Sequence, residues 1–159
     1  MHRDFVLHVF NDSKGWIINA VDDVPDDRMA EQFPHIPNHP AWTLTHLCGS
    51  LDFMLGAIGG APQSPSDWGT LAGPGTTPSA DRGVYAPKAE LLATFDRVHA
   101  EVDRFVRGVD LDVFERESPE HIRKFAPRLG NVVIFMLASH EPYHLAQLAD
   151  WRRGAGLAK

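Results

Sequence analysis

With 159 residues, 43% of them hydrophobic, the chain is long enough for one domain with a proper core. Its 15 basic and 21 acidic residues give a net charge of -6 with no basic stripe, which argues against a nucleic-acid partner. The single cysteine, Cys48, excludes an internal disulfide, and no stretch approaches the ~20 apolar residues of a membrane span, so a soluble cytoplasmic protein is expected.

The first predicted helix runs from about Arg3 to Val21, with Val6, Val9, Phe10, Ser13, Trp16, Ile17 and Ala20 recurring at three and four residues. Pro34, Pro37 and Pro40 then hold an extended lead-in, where Asn38 or His39 can cap a second helix from about Pro40 to Ile58. Gly59-Gly60 marks its end. Residues 59–87 hold six glycines and five prolines, too long and too broken for a tight turn, and read as a crossover loop. A third helix is predicted from about Lys88 to Arg107, with Leu91, Leu92, Phe95, Val98, Val102, Phe105 and Val106 on one side and Gly108 as its C-cap. Residues 109–128 look irregular.

A fourth helix from about Leu129 to Arg153 carries Val133, Met136, Leu137, His140, His144, Gln147 and Trp151 in one stripe, and Gly154 stops it. No comparable strand alternation exists. Four amphipathic helices of this size predict an all-α four-helix bundle, in which the long second connection allows helices two and three to lie parallel.

Residues 140 to 144 read His-Glu-Pro-Tyr-His. Four residues turn a helix about 400°, so both imidazoles point nearly the same way and form a two-toothed metal clamp. They lie on the apolar stripe, where a histidine without a partner is costly to bury. Two imidazoles do not complete a zinc or nickel site, and His46 is the best third ligand. It shares a face of helix two with Trp42, Ser50 and Phe53, opposite Leu44, Leu47, Leu51 and Leu55, whereas Cys48 points away. The competing reading makes all three core histidines bonded to carbonyls.

The spacing also fits the HExxH of zinc proteases, with Glu141 as general base. Against this, the 15 residues after His144 hold no histidine or glutamate. Asp150, the sole oxygen donor there, lies about 15 Å along the helix from His140.

Trp42-Thr-Leu-Thr-His46-Leu47 and Ser139-His-Glu-Pro-Tyr-His-Leu-Ala-Gln147-Leu resemble the two signatures of the DinB-like superfamily of metalloenzymes. The likeness spans nearly the whole chain and includes the Val24-Pro25-Asp26 turn and the closing Trp151-Arg-Arg-Gly154. Ala146 departs from it, where many relatives have glycine. The resemblance implies a bundle of up-down-down-up order, a divalent ion held by His46, His140 and His144, and a homodimer. It also implies use of a low-molecular-weight thiol as co-substrate.

Three neutral imidazoles leave the ion's charge in place and coordination positions open, which suits activation of a thiol or water. Gln147 and Tyr143 can border the pocket, while Glu141, about 100° off the His140 direction, reads as a supporting or surface carboxylate rather than a base. Pro142 frees the Ala138 carbonyl and should bend the helix. His2, His8, His35, His39, His99 and His121 show no paired spacing and read as surface or packing residues, with His99 notable for following Phe95 by one turn. Trp16, Trp42 and Trp151 fall on inward stripes, and Trp68 would cover the pocket or meet a second subunit. The expected function is a divalent-metal-dependent enzyme acting on a small molecule, either a thiol-dependent S-transferase or a hydrolase. The alternative is a catalytically silent bundle acting as a binding module. The loops at 59–87 and 109–128 would set the substrate.

Overall fold

The computed structural model describes residues 3–157, so His2 lies outside the described residues. It is all-helical, and no strand forms among the described residues; one isolated antiparallel bridge pairs Glu117 with Arg128. Three long helices are α1 (Arg3–Val21), α2 (Pro40–Ile58) and α4 (Lys88–Gly108). The short α3 (Trp68–Leu71) lies in the crossover and α5 (Glu120–Arg123) in the following connection. The last rod consists of α6 (Leu129–Phe135), a π-helical turn (Met136–His140) and α7 (Glu141–Gly154).

The ends of α2 follow from its punctuation. Pro40 sits in the first turn, where a missing N–H is no loss, and the extended His39 caps the helix, its Nδ1 accepting from the Trp42 N–H at 3.2 Å. At the other end Gly59 takes a φ of 97°, and the Gly60 N–H returns to the Leu55 carbonyl at 2.7 Å. Two sequence expectations shift. Gly108 is still helical, and Val109 closes α4 through its N–H to the Phe105 carbonyl. On α1 the buried residues are Leu7, Phe10, Ser13, Ile17 and Val21, while Val9 and Trp16 face outward, Trp16 at 52% exposure.

α2 packs against α4 and α1 against α7, with further contacts between α1 and α4 and between α2 and α7. Arg3 donates to the Val106 carbonyl, Lys14 pairs with Asp96 at 2.7 Å, and the Lys88 ammonium donates to the Asp22 carbonyl. Arg152 donates to the Ala20 carbonyl at 2.8 Å. Between these helices sit Phe10, Leu44, Leu47, Leu51, Phe95, Val98, Leu137 and Trp151, all fully buried. The buried Cys48 joins this core, and burial pushes its thiol pKa up, as befits a packing residue rather than a ligand.

The crossover is pinned rather than loose. The Asp52 carboxylate accepts from the Gln63 and Ser64 N–H groups at 2.9 and 2.8 Å, and Trp42 Nε1 donates to Thr76 Oγ1 at 3.1 Å. Trp68 is buried within its own chain, on the element that packs against α2. That contact favours glycine: a Cβ on Gly49 would lie 3.0 Å from Gly69 Cα, closer than ordinary packing. No helix among the described residues is long and apolar enough to cross a membrane.

Candidate metal centre

α2 delivers His46, and the junction of the π turn with α7 delivers His140 and His144. Each ring offers one nitrogen to a cluster whose ligand atoms all lie within 4.8 Å of one another. His140 Nε2 stands 3.1 Å from His46 Nε2 and 3.2 Å from His144 Nε2. The three side chains are buried.

The outer ring nitrogens orient two of these imidazoles. His46 Nδ1–H donates to the Ala72 carbonyl at 2.6 Å, and His144 Nδ1–H donates to Gln147 Oε1 at 2.9 Å. Gln147 Oε1 is itself held by Asn38 Nδ2 at 2.8 Å, from the proline-rich lead-in. The Trp42 indole stacks on His46 with ring centres 4.6 Å apart and planes 8° from parallel. With Nδ1–H so engaged, His46 and His144 turn Nε2 lone pairs toward the common point.

Burial, reinforced by the His144 and His46 charges, pushes the His140 pKa down to about 3. Burial and the His46 charge push that of His144 down to about 4, against the Gln147 bond. Burial also lowers His46, against the opposing effect of its bond to Ala72. Near neutral pH the trio is uncharged, and His46 and His144 both turn Nε2 lone pairs on His140, whose one ring proton can answer only one of them well. A divalent ion suits all three nitrogens, since nitrogens about 2.0–2.1 Å from a tetrahedral ion stand roughly 3.3 Å apart.

Of the other sequence candidates, Gln147 takes a supporting place beside His144. Tyr143 lies edge-on to the His144 ring at 5.2 Å and is 61% exposed. Glu141 is no surface carboxylate: it is fully buried, with Oε1 2.6 Å from His99 Nε2 and Oε2 bonded to Ser13 Oγ. Its oxygens are committed to α4 and α1. His99 is stacked on Phe10 at 3.9 Å and 9°, so the notable histidine of α4 belongs to this interior pair.

Pro142 stands directly after the π turn within a continuous helical rod, and that wide turn takes the place of the expected simple bend. The lone histidines His8, His35 and His121 are exposed, while His39 is the buried cap of α2.

A cavity of about 560 Å³ opens beside His46, lined among others by Ser50, Phe53, Gly69, Ile122 and Met136. Ser50 Oγ lies 3.5 Å from His46 Nε2 and links the cavity to the convergence point. Ala72 and the cavity's glycines were not recognisable as site residues in the sequence, since a backbone carbonyl and a missing side chain leave no pattern.

An all-helical chain whose long helices bring three buried histidines to one point is compatible with a metal-binding protein. The sequence model of the DinB superfamily matches residues 16–148, and the chain belongs to that superfamily. The comparison with curated proteins gives no match.

Proposed function

We propose that the chain is a divalent-metal-dependent enzyme in which His46, His140 and His144 hold zinc or nickel, acting on a small molecule as a thiol-dependent S-transferase or a hydrolase. The observation that carries this reading is the convergence of three uncharged imidazoles beside a cavity. An ion there would bring a thiol or water on its open position toward ionisation at neutral pH. The chain itself supplies orientation: Ala72 and Gln147 fix two rings, Trp42 covers His46 from one face, and Ser50 offers a hydroxyl beside it.

The bundle order in this reading is up-down-down-up. It is supported by Arg3 meeting the end of α4, Lys88 meeting the end of α1, and Arg152 meeting Ala20. A cytoplasmic setting and a homodimer belong to the same reading, the dimer resting on the family likeness alone.

Metal analysis of tag-free protein tests the first step: about one ion per chain after zinc or nickel addition, lost in His140→Ala. Less than about 0.2 ion per chain would end the proposal. The commitment of Glu141 to His99 and Ser13 favours one rival, a metal-binding module without turnover, because it occupies the carboxylate that stands between the two ligand histidines in sequence. Metal-dependent thiol conjugation or ester hydrolysis, absent in His140→Ala, separates the two.

A further inference from the structure

The cavity beside His46 has an unusual inventory. None of its lining residues is Lys, Arg, Asp or Glu, and its ionisable groups are His46 and the exposed His121. Phe53, Ile122 and Met136 supply an apolar wall, and Ser50 is the one hydroxyl. Its volume falls within the about 300–1,000 Å³ of small-molecule sites. Away from the His46 edge, a charged group entering it would lose water and meet no Lys, Arg, Asp or Glu side chain.

The cavity floor is backbone. Gly73 is held to glycine by its approach to the Gly69 carbonyl oxygen and Gly49 stands in tight contact with the Gly69 Cα, but a Cβ on Gly69 itself meets nothing within 4 Å. Gly69 has no positive φ, so neither packing nor backbone conformation requires a glycine there. Gly69 lines the cavity at an exposed position, and a side chain added there would enter open space beside it.

Building on the metal reading, we propose that this cavity binds the uncharged, apolar body of the substrate, directing its reactive end to the Ser50 and His46 edge, and that Gly69 sets the substrate's size. The apolar wall offers a charged co-substrate no complement away from the His46 edge. The residues that discriminate are Gly69, Phe53, Ile122 and Met136, none of them a metal ligand.

The test uses two fluorescent probes with one ring skeleton, neutral N-phenyl-1-naphthylamine and its anionic sulfonate, 1-anilinonaphthalene-8-sulfonate. In metal-free protein the neutral probe is expected to bind the wild type at one site and the sulfonate about tenfold or more weakly. Gly69→Leu should abolish neutral-probe binding and Gly69→Ala should weaken it by an intermediate factor, both with wild-type zinc stoichiometry. Because apolar burial does not need the ion, His140→Ala should still bind the neutral probe. Equal affinity for the two probes, or undiminished binding in a folded Gly69→Leu, would overturn the proposal. Absence of zinc binding alongside the expected probe pattern would instead sink the metal reading alone.

Discussion

Glu141→Ala is the perturbation whose consequence the structure determines most directly. Glu141 and Ser13 are fully buried and His99 nearly so, and the carboxylate joins the other two across three helices. Removing it strands His99 Nε2 in the core, on a ring whose Nδ1 already lacks a hydrogen-bond partner. It also takes from Ser13 its partner on α7, leaving the Phe10 carbonyl at 2.9 Å. Removing one partner of a buried pair costs about 3–5 kcal/mol, of which the newly stranded His99 nitrogen accounts for about 1–3, so a loss of roughly 4 kcal/mol is expected. For a domain of this length that lowers Tm by roughly 8–16 °C. Urea and thermal unfolding should be followed in EDTA, so that metal linkage does not enter. Glu141→Gln, which keeps an acceptor for His99, is expected to lose less than half as much. His99→Ala added to Glu141→Ala should cost far less than His99→Ala alone, because the pair is already broken. A Tm drop below about 3 °C for Glu141→Ala, or additive losses in the double variant, would refute the reasoning.

Gln147→Leu removes the acceptor that orients His144 and is expected to weaken zinc binding about 10–100-fold by calorimetry; unchanged affinity would show that Gln147 does not position the ring. Gly73→Ala places a Cβ 2.4 Å from the Gly69 carbonyl oxygen, where backbone must move, whereas a Cβ on Gly69 meets open space. Gly73→Ala should therefore lose about 1–3 kcal/mol in urea unfolding and Gly69→Ala little or nothing; equal losses would contradict the packing. Burial holds the His39 pKa below its ordinary 6.5, with its Nδ1 kept as an acceptor for Trp42 and its Nε2 2.9 Å from the Ser79 carbonyl. The unfolded chain takes up that proton more readily, so this stability is complete above the unfolded pKa and falls as pH drops below it. His39→Asn, which can still cap, should flatten the stability loss between about pH 7.5 and about pH 5.5 in EDTA; an unflattened profile would assign the loss to other groups.

The helix limits were legible because each is marked by chemistry that acts locally. Proline and a capping residue start α2, Gly59 stops it, and Pro87 precedes α4. The buried arc of α1 was less legible, because Val6, Leu7, Val9 and Phe10 put apolar groups on two arcs and periodicity alone cannot choose which faces inward. His46, His140 and His144 could be nominated because a four-residue spacing and a helix face are local quantities. The Glu141 pairing with His99 and Ser13 could not, since it spans 42 and 128 residues and no spacing rule connects them. The Ala72 carbonyl, supplied by the crossover 26 residues after His46, was invisible for the same reason. The π turn has no residue signature beyond Pro142 downstream of it.

That wide turn over Met136–His140 sets the register of everything after it. A π turn holds one residue more than an α-helix would place there, and so absorbs a residue that an unbroken α-helix would express as a rotation of α7 by about 100° against α6. Without the wide turn, His140 and His144 would keep their spacing and chemistry yet aim away from His46. An alignment with a relative whose last helix runs uninterrupted therefore needs a one-residue gap at this turn. Without that gap, the column reserved for the first imidazole of the pair would be filled by a neighbour, and the signature would look lost in a chain that has it.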